Sequence, residues 1–220
     1  MKQLHKYIIW LIPVLLIMAS CFPEYDATVE EMDLAISRVS DDQNFADYHT
    51  FYLYDTVVYV TENEDDLADL DRTHDAQIIS ETRQHFLDLG WTEVTDTTQL
   101  KDEADVAIML SVLAVDVYYY YTYWWDYWYW WDWYYWYPGY PIYPIYPSYP
   151  SYGYSVGTVM IDMLDLKNFE SAQKDAEKPK IDVIWSGAVN GILTGSNASI
   201  SQRLTKQMNQ VFIQSPYLQK

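Results

Sequence analysis

The groups able to do chemistry in this chain are one thiol, Cys21, a few histidines and a large surplus of carboxylates, 32 Asp and Glu against 13 Lys and Arg. Catalysis requires a nucleophile, a base or a metal set that converges on one point. His49, His74 and His85 stand outside any His-Glu-x-x-His or Cys-paired arrangement. There is no Gly-x-Ser-x-Gly elbow, no phosphate loop and no dinucleotide fingerprint. Asp162 and Asp165 have the residue type for acid–base work in a hydrolase, but in so acidic a chain the pair reads first as a structural or turn feature. The block Glu62, Glu64, Asp65, Asp66, Asp69 and Asp71 offers the oxygen ligands that calcium prefers. It lacks the glycine and the spaced Asx pattern of an EF-hand, and reads as a solvated acidic loop. The expectation is a non-enzymatic protein with no cofactor and no metal.

Cys21 has a more specific context. Met1–Lys6 carries two lysines, and the apolar run from Tyr7 to Met18 follows it, as in a secretory signal. Crossing a hydrocarbon core of about 30 Å takes roughly 20 helical residues, so this run, interrupted by Pro13, is too short to span. Met18-Ala19-Ser20-Cys21 resembles a bacterial lipobox, with Met18 where leucine is usual. That resemblance implies a diacylglyceryl thioether on Cys21, cleavage after Ser20 and acylation of the new amino group. Each buried methylene contributes about 0.8 kcal/mol, and two chains already anchor stably. The competing reading is an ordinary cleaved signal that happens to end at a cysteine, which leaves an unpaired thiol in a secreted protein unexplained. With its one cysteine consumed, the mature chain has no internal disulfide and must rely on core burial.

Removing residues 1–20 takes away Lys2 and Lys6, moving the formal charge from −19 to −21. Such a field repels phosphates, so nucleic acid is excluded as a partner. Residues 21–31 are short, acidic and Pro-containing, as suits a tether. Residues 32–217 have the length of one domain.

Between Tyr118 and Tyr154, 23 of 37 positions are Tyr or Trp. Trp124, Trp125, Trp128, Trp130, Trp131, Trp133 and Trp136 fill the first half, and Tyr140, Tyr143, Tyr146 and Tyr149 recur every third residue in the second, with Pro138, Pro141, Pro144, Pro147 and Pro150 interleaved. Three residues per turn is the polyproline II repeat, which stacks those tyrosines along one edge. Flanked by strands, the segment is expected as a long hairpin projecting from the sheet. These rings are the candidate binding surface, and three ligands suit them: a membrane–water interface, a protein partner or the apolar faces of sugar rings. Asp126 and Asp132 argue against bilayer insertion, since a central carboxylate costs about 2.5–3.5 kcal/mol. The bland alternative is a low-complexity loop.

The elements that must carry this segment are legible from periodicity. Strands are predicted at 32–39, from the alternation of Leu34 and Ile36, and at 50–54, 104–117, 156–164 and 181–193. Ile78, Ile79, Thr82, Phe86 and Leu89 predict a helix over 74–89, ended by Gly90 with Trp91 packed behind it. Ile200, Leu204, Met208, Val211 and Phe212 predict a second over 198–213. Mixed but not alternating elements give an α+β fold, a largely antiparallel sheet with two helices packed on one face, plus the aromatic hairpin insertion.

Several segments occur in an order that resembles a bacterial lipoprotein family, domain of unknown function 4136: 45–51 (FADYHTF), Leu89-Gly90-Trp91, Ala104-Asp105-Val106, 157–165 (GTVMIDMLD), Ile184-Trp185-Ser186-Gly187 and 215–218 (SPYL). The likeness covers about residues 30–217, and similar members often carry a Tyr/Trp-rich insertion before the Gly-Thr strand. It implies an α+β envelope domain facing the periplasm or outer membrane and supplies no catalytic residues. The functional expectation is a lipid-anchored outer-membrane lipoprotein acting as a binding or scaffold module through its aromatic insertion. A glycan- or peptidoglycan-binding module is the alternative, and an envelope hydrolase a more distant one.

Overall fold

The two strands at the centre of the sheet are buried at every residue, which their period-two geometry allows only if both faces are covered. The computed structural model describes residues 33–41, 43–61, 70–96, 103–113, 157–169, 181–190 and 196–220, and the backbone alone at 143–145 and 180. Its strands are β1 (Leu34–Val39), β2 (Thr50–Val60), β3 (Thr92–Glu93), β4 (Val106–Leu113), β5 (Tyr143–Ile145), β6 (Thr158–Asp165) and β7 (Lys180–Asn190). Six lie in the order β1-β7-β6-β4-β2-β3. The β1–β7, β7–β6 and β6–β4 pairs are antiparallel, while β2 runs parallel to both β4 and β3. The open sheet is thus mostly antiparallel, as expected, with parallel pairs at one side. A parallel neighbour needs a crossover, and α1 (Asp75–Asp88) provides it between β2 and β3.

The helix α1 ends where the sequence places its stop. Gly90 has φ +89, and the Gly90 and Trp91 N–H groups donate to the carbonyls of Leu87 and Phe86. That pair of reversed bonds is a Schellman cap, and Gly has no Cβ to oppose the positive φ. At the other end Asp75 accepts from the Tyr59 hydroxyl at 2.7 Å and from Arg72 at 3.2 Å. The second helix, α2 (Asn197–Ile213), is capped by Ser196 Oγ, which accepts from Ser199 N–H at 3.3 Å.

Both helices lie on one face. Phe86 is the hub of that core, edge-on to Trp91, Trp185 and Phe212 with centroids 5.8, 6.2 and 5.4 Å away. Such edge-to-face pairs add about 0.5–1.5 kcal/mol each beyond area burial. The predicted stripe Ile200, Leu204, Met208, Val211 and Phe212 is buried as a unit. Gly187 lets α2 come close to β7, since a Cβ there would stand 2.6 Å from Val211 Cγ1 and 2.9 Å from the Trp185 ring.

Of the predicted bounds that shift, two have a visible cause. Thr50–Tyr54 continues to Val60, because Val57, Tyr59 and Val60 keep pairing with β4. The strand expected from Ala104 begins at Val106, where Asp105 turns its carboxylate to other work. Of the aromatic segment, Tyr143–Ile145 pairs in parallel with Lys180–Asp182. Part of the stretch predicted as polyproline II is therefore paired as a strand, with Pro144, which has no N–H to give, opposite Ile181. The rest of 118–154 lies outside the described residues, as do the leader and tether.

Candidate functional site

Two polar assemblies contain the carboxylates singled out in the sequence, one at an end of the sheet and one on the face opposite α1 and α2. The first is built on Asp105. Its carboxylate accepts the backbone N–H groups of His49 at 2.6 Å and Thr50 at 3.0 Å, and its carbonyl accepts those of Leu166 and Lys167. Lys167 Nζ stands 3.5 Å from the same carboxylate, donates to Asp47 O and sits 5.2 Å over the Tyr48 ring. Desolvation alone would raise the Asp105 pKa; the donated N–H groups and Lys167 outweigh it and hold the carboxyl below its ordinary range.

Beside it, Tyr48 donates its hydroxyl to Asp165 Oδ2 at 2.9 Å, and Asn168 donates through Nδ2 to both groups at 2.7 and 2.8 Å. Burial first, and the Asp165 charge after it, push the Tyr48 phenol up to about 12. The phenol stays protonated and donating. Asp182, exposed on β7, has its pKa raised by partial desolvation and by Asp165. Lys220 closes the same end: its N–H donates to Leu89 O, its Nζ donates to Phe45 O and lies 4.1 Å over Trp91. Burial draws the Lys220 pKa down. Their contacts tie five separate stretches of chain together, 45–50, 89–91, 105, 165–168 and 220.

The second assembly sits on the helix-free face. Asp162, 1% exposed, accepts from Ser186 Oγ at 2.5 Å. Around it lie Ala107, Met109, Met160, Leu164, Val183 and Ala188, all buried. Asp162 and Asp165, paired by type in the sequence, are separated by the strand: Met163 between them packs into the helix-covered core, Leu164 into the opposite one. Their carboxylates point to opposite faces and bond to different partners, Ser186 and Tyr48, so the structure does not bring them together. Among the described residues no group of three or more His, Cys, Asp or Glu is arranged to hold a metal. Nor, among those residues, is any helix long and apolar enough to cross a membrane.

Cys21 and the ring candidates Trp124, Trp125, Trp128, Trp130, Trp131, Trp133, Trp136, Tyr140, Tyr146 and Tyr149 lie outside the described residues. Tyr143 is placed by its backbone alone, opposite Lys180. Sequence reasoning missed Tyr48, Asn168 and the buried pair Arg203–Asp33, whose Nε–Oδ2 and Nη2–Oδ1 distances are 2.7 and 2.6 Å. The signal for the last was present: Arg203 falls one position before Leu204, on the apolar side of α2.

The dispersed sequence segments noted above interlock in space. Trp91 Nε1 donates to Leu218 O at 2.8 Å, Trp185 Nε1 donates to Ser215 Oγ at 3.0 Å, and Tyr48, Asp105 and Asp165 form one end of the sheet. The fold and these contacts define an α+β domain of one mixed sheet closed by residues 215–220. The chain belongs to the DUF4136 family, Domain of unknown function (DUF4136), whose family model matches residues 36–217. It is similar to a DUF4136 family protein of Bacteroides thetaiotaomicron, with 26% identity over 85% of this chain and 97% of that one and a TM-score of 0.63. It is also similar to the PelC dodecamer of Paraburkholderia phytofirmans in two crystal forms, one of them of a variant with a single leucine replaced by methionine. There the identity is 12% over 86% of this chain and 99% of that one, and the TM-scores of 0.38 and 0.37 are too low to carry argument. No curated protein matches the chain.

Proposed function

We propose that this protein is a bacterial envelope lipoprotein, held at the outer membrane by lipid on Cys21, whose domain is a non-catalytic binding or scaffold module presenting its Tyr/Trp-rich segment to an envelope protein. The observation that carries the reading is how that segment is mounted. Leu113 and Thr158 pair directly across β4 and β6, and Gly157 N–H donates to Leu113 O at 2.7 Å. Both ends of 114–156 are therefore fixed to the two most buried strands, a rigid base that lowers the ordering cost of a contact surface. Tyr and Trp are the side chains that such surfaces favour, with large apolar area and a polar tip. The lipid anchor rests on Met18-Ala19-Ser20-Cys21 and on the short apolar run before it.

Two experiments test the halves separately. Cys21→Ala in cells should accumulate unprocessed precursor and deplete the acylated membrane-bound form; a Cys21→Ala chain still processed and acylated would overturn the anchor. Replacing Trp130, Trp131 and Trp133 by Ser, with circular dichroism to show that the domain remains folded, should abolish in-cell cross-linking to a defined envelope protein. Loss of binding to isolated sacculi with no change in protein cross-links would replace the protein partner by a glycan. Unchanged binding to both would remove the segment from the function.

A further inference from the structure

We infer that the outer edge of β1 is a docking edge for an extended segment of a partner protein, apolar in its middle and basic at both ends, which adds to the sheet as a further strand. Register shows which backbone groups it would meet. The Ser40 N–H donates to Ile184 O at 3.0 Å, in step with the pairs Arg38↔Ser186 and Ile36↔Ala188, so the even-numbered residues bond to β7. In an antiparallel ladder the residues between them turn their N–H and C=O groups away from the neighbour. Ala35, Ser37 and Val39 therefore point theirs outward, and Gln214 Nε2 agrees with that direction by donating to Ala35 O at 3.3 Å. β7 is the one strand paired with β1, and among the described residues nothing takes up the outward groups of Ser37 and Val39. Leu34 and Val39 are 45% and 38% exposed.

Folded proteins normally blunt such an edge with a bulge, a proline, a very short strand or a cover. The opposite edge of this sheet is treated that way: β3 has two residues, and β2 breaks register between Leu53 and Val57, with Asp55 exposed in the break. β1 instead keeps one register over six residues, with no proline and with Arg38 as its one charge. Its exposed neighbours to an added strand are apolar on both faces, Leu34 on the side of Ile36 and Val39 on the side of Ala35, which suits β-branched residues in the middle of the partner segment. Charge decides against a second copy of this chain. The sequence flanks β1 with Glu30-Glu31 and Asp41-Asp42. Antiparallel pairing of two copies along β1 sets one flank against the other, and like charges directly opposite are destabilising. The formal charge of −19 adds to that repulsion. Lysine or arginine at the ends of a foreign strand meets the same carboxylates favourably and is steered towards them. The inference does not draw on the Tyr/Trp-rich segment and goes beyond the proposed function.

Residue-resolved hydrogen exchange on the full chain, alone and with the synthetic peptide Lys-Lys-Thr-Val-Thr-Val-Thr-Lys-Lys, tests this. In the free protein the Ile36 and Arg38 amides, held by β7, should exchange slowly and those of Ser37 and Val39 fast. At a peptide concentration about ten times its Kd, the Ser37 and Val39 amides should slow about tenfold. The same peptide with glutamate in place of each lysine should leave them fast. Ser37→Pro removes one outward N–H and spares the ladder to β7, as proline can on an edge; it should abolish the slowing at Val39 with Tm unchanged. Val39→Lys leaves the backbone as it is and guards the edge with a charge, so it should weaken the lysine peptide several-fold even if the proline variant fails to fold. Protection of Ser37 and Val39 in the free chain at every dilution would mean that the edge is already covered, and protection that rises with protein concentration would put a second copy there. Either result overturns the inference, as would no slowing by the lysine peptide, equal slowing by both peptides, or full binding to Val39→Lys.

Discussion

The two faces of the sheet are built to the same degree of burial by different means. On one, α1 and α2 dock through helical stripes, an aromatic hub at Phe86 and a glycine at 187 that admits Val211. On the other, Met109, Met160, Leu164 and Val183 are equally buried, around a carboxylate bonded to Ser186, and among the described residues Phe169 is the one helical residue that joins them. The difference teaches that helical periodicity fixes which side chain meets which on one face, whereas the burial of the other face is legible only in the alternation of its own strands.

The sharpest way to break this comparison is through the buried ion pair on the helix side. Arg203→Ala leaves Asp33, 1% exposed at its side chain, without its counter-charge, and should cost about 3–5 kcal/mol, read as a fall in Tm of roughly 10 °C. The Asp33→Leu, Arg203→Leu double variant should recover most of that loss, because an apolar pair avoids the desolvation cost; no recovery would show that the pair also sets α2's position. Next, Met109→Ala on the other face should lose about 2–5 kcal/mol in urea unfolding if its cover is as tight as a helix layer. A loss within about 0.5 kcal/mol, typical of surface sites, would mean that the two faces are not equivalent.

Smaller effects refine the picture. Gly187→Ala forces Val211 and Trp185 apart and should destabilise by about 1–3 kcal/mol, as overpacking does, with the change visible in near-ultraviolet circular dichroism of Trp185. Asp105 gives the smallest signal. Its folded pKa is depressed, so its contribution is present above the ordinary carboxylate value and disappears as pH falls through the lower folded value. Asp105→Asn should flatten the acid limb of the stability profile in that window and leave the limb above neutrality unchanged.

What the sequence revealed follows the same division. Both helices, the stop of α1 and five strands were legible because Ile78, Phe86, Leu204 and Met208 recur at helical spacing and because Gly90 marks an end that only a positive φ closes. The parallel pairing of β2 with β4 was not, since Val57 and Tyr59 have no local feature that chooses a neighbour's direction. The Tyr48–Asp165–Asn168 assembly was invisible for a related reason: Tyr48 is more than a hundred residues from the other two, and each looks like an ordinary polar residue until the sheet brings them together. Asp162 and Asp165 show the converse, proximity in sequence that alternation along a strand undoes.

Under the anchoring proposed for Cys21, the fork between Arg203 and Asp33 takes on a mechanical meaning. Asp33 is the last residue before β1, so a pull from the proposed anchor would enter the folded body there, and the guanidinium would hand the load sideways to α2 instead of letting it peel β1 from the sheet edge. Pulled this way, the body resists in shear along a seated helix, and the strand ladder is spared from being unzipped one bond at a time.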